Sequence, residues 1–116
     1  IRNCLVGSEM CIRDSPLPPG SSGALMRQKY EASVFPALQK FEPELILISA
    51  GFDAHEADPL GELNWSTKDF SWLTERLCTV ASNCCEGRLV SILEGGYNLD
   101  ALADSVKAHV IKLCEA

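Results

Sequence analysis

Residues 44–61, which read ELILISAGFDAHEADPLG, decide the fold of this 116-residue chain. They open with a short apolar run, residues 45–48, that ends in the small residues Ser49, Ala50 and Gly51. A continuous apolar run of this length between turn-forming residues is typical of a strand that is buried on both faces of a parallel sheet. Because open parallel sheets carry their working groups at the carboxyl ends of strands, Asp53 is a candidate functional residue.

A second segment has the same layout. Residues 88–93, RLVSIL, form another short apolar run, and Glu94-Gly95-Gly96-Tyr97 follows it. This order puts a phenol at the same end of a second strand. The local sequence also allows simpler roles: Asp53 as a turn former or a cap on backbone amides, and Tyr97 as an aromatic residue packed under its loop.

Three amphipathic helices surround these strands, over residues 24–41, 66–85 and 98–113. Pro36 should kink or split the first, a capping box at residues 66–69 should start the second, and Asn98 or Asp100 should cap the third. The core face of the first helix is predicted to comprise Met26, Tyr30, Val34, Ala37, Leu38 and Phe41. The core face of the third is predicted to comprise Leu99, Leu102, Val106, Val110 and Leu113.

The order helix, strand, helix, strand, helix predicts an α/β fold, with a parallel sheet flanked by helices. Two strands do not make an independent sheet, because both lateral edges would stay open. We therefore expect the chain to be part of a larger domain.

Composition excludes several classes of function. The net charge is −6 and no basic residues cluster, which argues against a surface that binds nucleic acid. No run approaches the ~18 apolar residues of a membrane span. The six cysteines are expected to be reduced thiols, and Cys78, Cys84 and Cys114 fall at helical core spacings.

The two histidines give little indication of a metal site. Asp53 and His55 stand two residues apart, which suits a metal pair on an extended segment, but a solvent-facing His55 is favoured. His109 is predicted to be a surface or half-buried side chain of the last helix. Asp58, which precedes a proline, is expected simply to end its loop.

Residues 1–15 differ in character from the rest. Residues 5–14, LVGSEMCIRD, have neither helical nor strand periodicity, and they match the translation of a transposon adapter used in sequencing libraries. We expect the biological sequence to begin near Pro16, so that Cys4 and Cys11 carry no meaning. Residues 16–23, PLPPGSSG, are by local sequence a linker.

From Pro16 onward, the chain resembles the carboxyl-terminal part of the histone deacetylase family, closest to its class II branch and the related bacterial amidohydrolases. The matching pieces are PLPPGSSG, FPALQKFEPE, LILISAGFDAHEADPLGELN, GRLVSILEGGYNL and LADSVKAHV, in the order and spacing of the family. The combination of AGFDAH, DPLG and LEGGYNL is highly specific. The resemblance implies a partial arginase-deacetylase fold.

The resemblance also implies roles for five residues. Asp53, in the AGFDAH motif, would be a ligand of Zn²⁺, and Tyr97, in the GGY motif, would be the catalytic tyrosine. Leu60 of DPLG would line the tunnel for the acyl-lysine, and Gly95 and Gly96 would shape the active-site loop. The other two zinc ligands and the histidine base of the family lie in upstream motifs that this chain lacks, so we expect the fragment itself to be inactive.

The implied activity is hydrolysis of N-acetyl-lysine amides in histones or other proteins by an intracellular, zinc-dependent enzyme of chromatin regulation. The implied partner is an acetylated protein or amine, without direct nucleic-acid or membrane binding. One alternative is an acetylpolyamine amidohydrolase of the same fold, and another is a noncatalytic binding domain derived from the family. Manganese-dependent ureohydrolases share the fold, but their D-x-D motif is absent.

Overall fold

A computed structural model describes residues 14–116. Cys4 and Cys11 lie outside the described residues, so the adapter hypothesis stays a prediction. The helices and strands are α1 (Gly23–Lys29), a π-helical turn (Tyr30–Val34), α2 (Phe35–Phe41), β1 (Ile46–Ala50), α3 (Thr67–Cys85), β2 (Leu89–Leu93) and α4 (Leu99–Glu115). None of the helices in residues 14–116 has the length and hydropathy that a bilayer-crossing segment needs.

The two strands form a parallel sheet, as predicted. Their register runs from Ile46 opposite Leu89 to Ala50 opposite Leu93. Since both strands end at the same level, the loops that follow them leave the sheet at one edge. The α/β class and the order of elements are confirmed.

The sheet is covered on one face within the described part of the chain. Ile46 and Ala50 are buried, and Ile46 shares a core with Val80 of α3. The alternate side chains Leu47 and Ile92 are 66% and 58% exposed. The prediction of a strand buried on both faces is therefore wrong for residues 14–116, because the helices of this segment pack against one face only.

The first helical stretch is interrupted next to Pro36, as predicted. A π-helical turn precedes the proline, and the Phe35 amide N–H donates to the Tyr30 carbonyl, five residues back. The wider turn shifts the later residues relative to an uninterrupted α-helix. Phe35 is consequently buried, whereas Phe41, predicted on the core face, is 78% exposed.

Helix α3 begins at the predicted capping box. The Asp69 carboxylate accepts from the Ser66 amide N–H at 2.8 Å and from Arg27 Nε of α1 at 3.0 Å. A Cβ on Gly23 would lie 2.0 Å from Asp69 Oδ2, so this glycine lets α1 approach the cap. Burial pushes the pKa of Asp69 upward, but the Ser66 and Arg27 hydrogen bonds outweigh it and lower the pKa below its ordinary value.

Helix α4 places part of its predicted face on the core, since Leu102 and Val106 pack against the core cluster. Asn98 caps it, since Asn98 Oδ1 accepts from the Ala101 amide N–H at 3.0 Å. Leu99 is 79% and Val110 45% exposed, which corrects two predicted core positions. Ala101 and Ser105 are buried instead. The reason is that small residues allow α4 to lie close to its neighbours.

The cysteines of the described segment are free thiols. Cys85 is buried, and Cys78 and Cys84 are half-buried. Cys114 is exposed, so its predicted place in the core is wrong. It lies at the end of the last helix, where no other element of residues 14–116 covers it.

His109 is buried, which corrects the prediction of a surface or half-buried histidine. Its Nδ1 lies 2.7 Å from Thr74 Oγ1, and its Nε2 lies 2.8 Å from Ser91 Oγ. Thr74 donates its own hydroxyl proton to the Phe70 carbonyl. Thr74 therefore accepts from Nδ1–H, and Nε2 accepts from Ser91, which defines a neutral tautomer.

The burial of His109 makes stability depend on pH. Burial lowers the pKa of His109 below its ordinary value. In the unfolded chain His109 takes up a proton below about pH 6.5. In the folded chain, where its pKa is lower, His109 is protonated to a smaller extent at the same pH. The unfolded state then binds more protons, so the free energy of unfolding falls as pH is lowered.

We expect urea denaturation midpoints to decrease between pH 7.5 and 5.5, and the decrease to be smaller in His109→Gln. The change in midpoint with pH, rather than the midpoint itself, is the quantity to compare, because the substitution also removes hydrogen bonds. An equal decrease in both proteins would contradict the assignment of this titration to His109.

Candidate functional site

Two loops meet at the carboxyl edge of the sheet. We call residues 51–66 the β1 loop and residues 94–98 the β2 loop. The Phe52 amide N–H donates to the Gly95 carbonyl at 2.8 Å, and the Glu94 amide N–H donates to the Ala50 carbonyl at 3.0 Å. The predicted meeting of the segments that carry Asp53 and Tyr97 is therefore present.

The Asp53 carboxylate is half-buried against the β2 loop. A Cβ built on Gly95 would lie 3.3 Å from Asp53 Cγ, which is tighter than ordinary contact. The β1 loop also folds closely on itself here, since a Cβ on Gly61 would lie 1.5 Å from the Asp53 carbonyl oxygen. Within residues 14–116, no hydrogen bond or ion pair engages the Asp53 carboxylate, so its oxygens remain available to a ligand.

Asp58 has an extensive set of partners. Its Oδ1 accepts from the amide N–H groups of Leu60 at 2.8 Å and Gly61 at 3.0 Å. Its Oδ2 accepts from the Tyr97 amide N–H at 2.8 Å. Burial pushes the pKa of Asp58 upward, but the backbone hydrogen bonds, from Tyr97 first, outweigh it and lower the pKa.

The expectation that Asp58 only ends its loop is therefore wrong, because the carboxylate also joins the β1 loop to the β2 loop. The local signal in the sequence is Asp58 three residues before a glycine, which is typical of an aspartate-centred turn. This pattern predicts the hydrogen bonds that Oδ1 accepts within the turn, but it does not predict the bond that Oδ2 accepts from Tyr97.

Tyr97 follows two glycines on the β2 loop. Its side chain is 57% exposed at the rim, so the phenol is open to solvent. Gly96 has a φ of 141°, and a Cβ there would lie 2.7 Å from Leu102 Cδ1. A side chain at position 96 would meet both a backbone restriction and a clash with α4.

A cavity of about 240 Å³ opens beside the β1 loop. It is lined by Leu17, Pro19, Ser49, Gly51, Asp53, Ala54, Leu60, Gly61, Glu62 and Leu63. Two predicted site residues, Asp53 and Leu60, thus share one cavity, while Gly95, Gly96 and Tyr97 lie on the adjoining loop. Leu60 is 66% exposed.

The proline-rich segment, residues 16–23, is part of the cavity wall rather than a linker. The Gly20 amide N–H donates to the Glu62 carbonyl at 2.6 Å, and the Asn64 amide N–H donates to the Ser21 carbonyl at 3.0 Å. These bonds hold the segment against the β1 loop. The composition of residues 16–23 predicts a loop, but it does not predict that this loop is held by hydrogen bonds to the β1 loop.

His55 does not join Asp53 in a metal pair. Its Nδ1 accepts from the Ala57 amide N–H at 3.1 Å, and its Nε2 lies 3.3 Å from Thr67 Oγ1. Both ring nitrogens are therefore engaged, and the ring is half-buried rather than solvent-facing.

The described residues offer carboxylate oxygens beside the cavity but do not form a complete zinc site. Among residues 14–116, no group of three or more histidine, cysteine, aspartate or glutamate side chains could hold a metal ion. A catalytic zinc ion takes three protein ligands. Asp53 and Glu62 are the carboxylate residues that line the cavity and could each supply an oxygen ligand, and the remaining ligands would have to come from outside the described residues.

The chain is similar to known proteins over most of its length. Residues 6–113 match the family model of the histone deacetylase domain. The chain is 48% identical over 91 residues to histone deacetylase 10, chloroplastic, of Oryza sativa subsp. japonica, covering 78% of the chain and 20% of that protein. It is 37% identical over 83 residues to the histone deacetylase-like amidohydrolase of Pseudomonas aeruginosa, covering 72% of the chain and 22% of that protein.

A solved structure is similar in fold. The HDA15 HD domain superposes with a TM-score of 0.73 at 32% identity, covering 84% of the chain and 27% of that domain's chain. The chain spans about a fifth of the length of the two curated relatives.

Proposed function

Because the chain belongs to the histone deacetylase family, we propose that it is the carboxyl-terminal part of a zinc-dependent deacetylase that hydrolyses N-acetyl-lysine amides. The two reported relatives are a deacetylase and an amidohydrolase by name, which supports a hydrolase. The observation that carries the proposal is that the β1 loop, which carries Asp53, and the β2 loop, which carries Tyr97, leave the same edge of the sheet and are joined by hydrogen bonds from Phe52 to Gly95 and from Tyr97 to Asp58.

We propose that residues 16–116 have the arginase-deacetylase fold. The adapter origin of residues 1–15 stays a prediction, since the match to the family model begins at residue 6. The open sheet face, with Leu47 and Ile92 exposed, supports a domain that continues beyond this segment. In this proposal the missing elements would cover that face, since strands of a parallel sheet are packed on both sides.

The chemistry of the proposed site follows from the residue types. Zn²⁺, when bound, would polarise the amide carbonyl and lower the pKa of a bound water. Asp53 would contribute one anionic oxygen ligand. Tyr97 would donate its hydroxyl hydrogen bond to the negative charge that develops on the carbonyl oxygen as water attacks, and it does so without carrying a charge itself.

The cavity walls suit the substrate. Leu60 presents an exposed apolar side chain beside Asp53, and Leu17 adds a second apolar wall. Such walls would accept the methylene chain of an acetyl-lysine and guide its amide toward the edge of the sheet. The substrate class we propose is an acetylated protein such as a histone, processed inside the cell, with a role in chromatin regulation.

The segment of residues 16–116 alone should be inactive, because one carboxylate does not hold zinc. The test is to measure zinc content and release of acetate from an acetyl-lysine peptide, with the complete domain and with residues 16–116. We expect bound zinc and turnover in the complete domain and neither in the segment. Absence of turnover in a zinc-loaded complete domain would contradict the proposed activity.

The second candidate is an acetylpolyamine or other small-molecule amidohydrolase of the same fold. One relative is named a histone deacetylase-like amidohydrolase, and this name leaves the amide substrate open. Assaying an N-acetylated polyamine beside the peptide separates the two, since the better substrate has the higher kcat/KM. If neither substrate turns over, the third candidate, a noncatalytic binding domain, is favoured.

A further inference from the structure

We propose that Asp58 is a positioning residue that anchors the Tyr97 backbone to the β1 loop and thereby sets the place of the Tyr97 hydroxyl. This inference rests on the proposed function, because the hydroxyl matters only if Tyr97 takes part in the reaction. The anchor itself is a contact between two loops that are 39 residues apart in sequence.

The two carboxylate oxygens of Asp58 have separate tasks. Oδ1 accepts the Leu60 and Gly61 amides and so closes the turn within the β1 loop. Oδ2 accepts the Tyr97 amide of the β2 loop at 2.8 Å. One side chain therefore ties the backbone of Leu60, which lines the cavity, to the backbone of Tyr97.

Tyr97 needs such an anchor because of what precedes it. Gly95 and Gly96 carry no side chains, and glycine leaves the backbone more freedom than any other residue. The Tyr97 ring is 57% exposed, so packing does not hold it within the described segment. A hydrogen bond to an ionised carboxylate is shorter and stronger than a neutral one, which suits a fixed position for the backbone.

A neighbouring bond supports the same joint. Asn98 Nδ2 donates to the Ala57 carbonyl at 3.2 Å, while Asn98 Oδ1 caps α4. Asn98, the residue after Tyr97, is thus bonded both to the first turn of α4 and to the β1 loop. Loss of the bond should move Tyr97 locally without unfolding the site.

Asp58→Asn tests the anchor with the least disturbance. The asparagine oxygen keeps the turn to Leu60 and Gly61, whereas its NH₂ group would face the Tyr97 amide N–H and cannot accept from it. In the complete domain we expect kcat for the acetyl-lysine peptide to fall about tenfold or more, with KM changed less than about twofold. Asp104→Asn, which removes an exposed carboxylate on α4, is the matched control and should leave both constants unchanged.

A double-mutant cycle shows whether Asp58 acts through Tyr97. If it does, Asp58→Asn should lower kcat about tenfold in the natural protein. The same substitution should lower kcat less than about twofold when Tyr97→Phe is already present. Equal losses in the two backgrounds would overturn the proposal, since they would show an effect that does not pass through the phenol.

Hydrogen exchange of the Tyr97 amide supplies a readout that is independent of activity. We expect Asp58→Asn to speed its exchange about tenfold or more, while amides of α3 keep their protection. Unchanged exchange at Tyr97 would overturn the anchor. If the complete domain shows no deacetylation at all, the proposed function fails, and the exchange rate by itself decides whether Asp58 holds Tyr97.

Discussion

Tyr97→Phe removes one hydroxyl group and is expected to lower kcat of the complete domain on an acetyl-lysine peptide by about 10²–10³. The reason is that the phenol would donate to charge that exists only while the carbonyl is under attack. Phenylalanine keeps the ring, the backbone bond to Asp58 and the two preceding glycines. Zinc content should therefore stay the same, and KM should change little.

Tyr30→Phe is the matched control for this experiment. Tyr30 is the other of the two tyrosines in the chain, and its ring packs on Phe35 with centroids 5.4 Å apart, on the helical stretch before β1. Removing its hydroxyl should leave turnover within about twofold of the natural protein. Unaltered turnover in Tyr97→Phe would show that the role proposed for Tyr97 is wrong.

Asp53→Asn is expected to act on zinc rather than on the chemical step. A neutral carboxamide replaces an anionic oxygen ligand, so zinc affinity should fall by more than the ~10–100-fold typical of losing a residue that only supports a ligand. Turnover should fall in parallel and recover in part with added zinc. The fold should be preserved, because the Asp53 carboxylate has no hydrogen-bond or ion-pair partner in residues 14–116.

The measurement for Asp53→Asn is zinc content after dialysis, together with a zinc titration of activity. Asp104→Asn, an exposed carboxylate on α4, should retain the zinc content of the natural protein. Full zinc occupancy in Asp53→Asn would exclude Asp53 from the ligand set. Taken with Tyr97→Phe, the pair separates metal binding from hydrogen-bond donation, since each substitution should alter one property and spare the other.

Local patterns in the sequence predicted most of the framework. Two short apolar runs and three amphipathic stretches predicted the α/β order, and Ser66-to-Asp69 and Asn98 predicted two helix starts. These features depend on residues a few positions apart, where backbone hydrogen bonding and side-chain periodicity act directly. The parallel pairing also brought Asp53 and Tyr97 to one edge, as predicted.

Core positions that depend on other elements were predicted less well. Phe41 is exposed because the π-helical turn before Pro36 shifts the helix face. His109 is buried because Thr74 and Ser91, from two other elements, supply partners for both ring nitrogens. Helical periodicity considers each helix alone, so it predicts neither the exposure of Phe41 nor the burial of His109.

The sequence by itself determined the alternation of helices and strands, the edge at which the candidate residues gather, and the family. Only the tertiary structure showed that Asp58 carries a bond to Tyr97, that residues 16–23 wall the cavity beside Leu60, and that one face of the sheet stays open in residues 14–116. The physical reason is range: helix and strand preferences arise from neighbours in the chain, whereas these contacts join groups tens of residues apart, whose distances are set only when the elements pack.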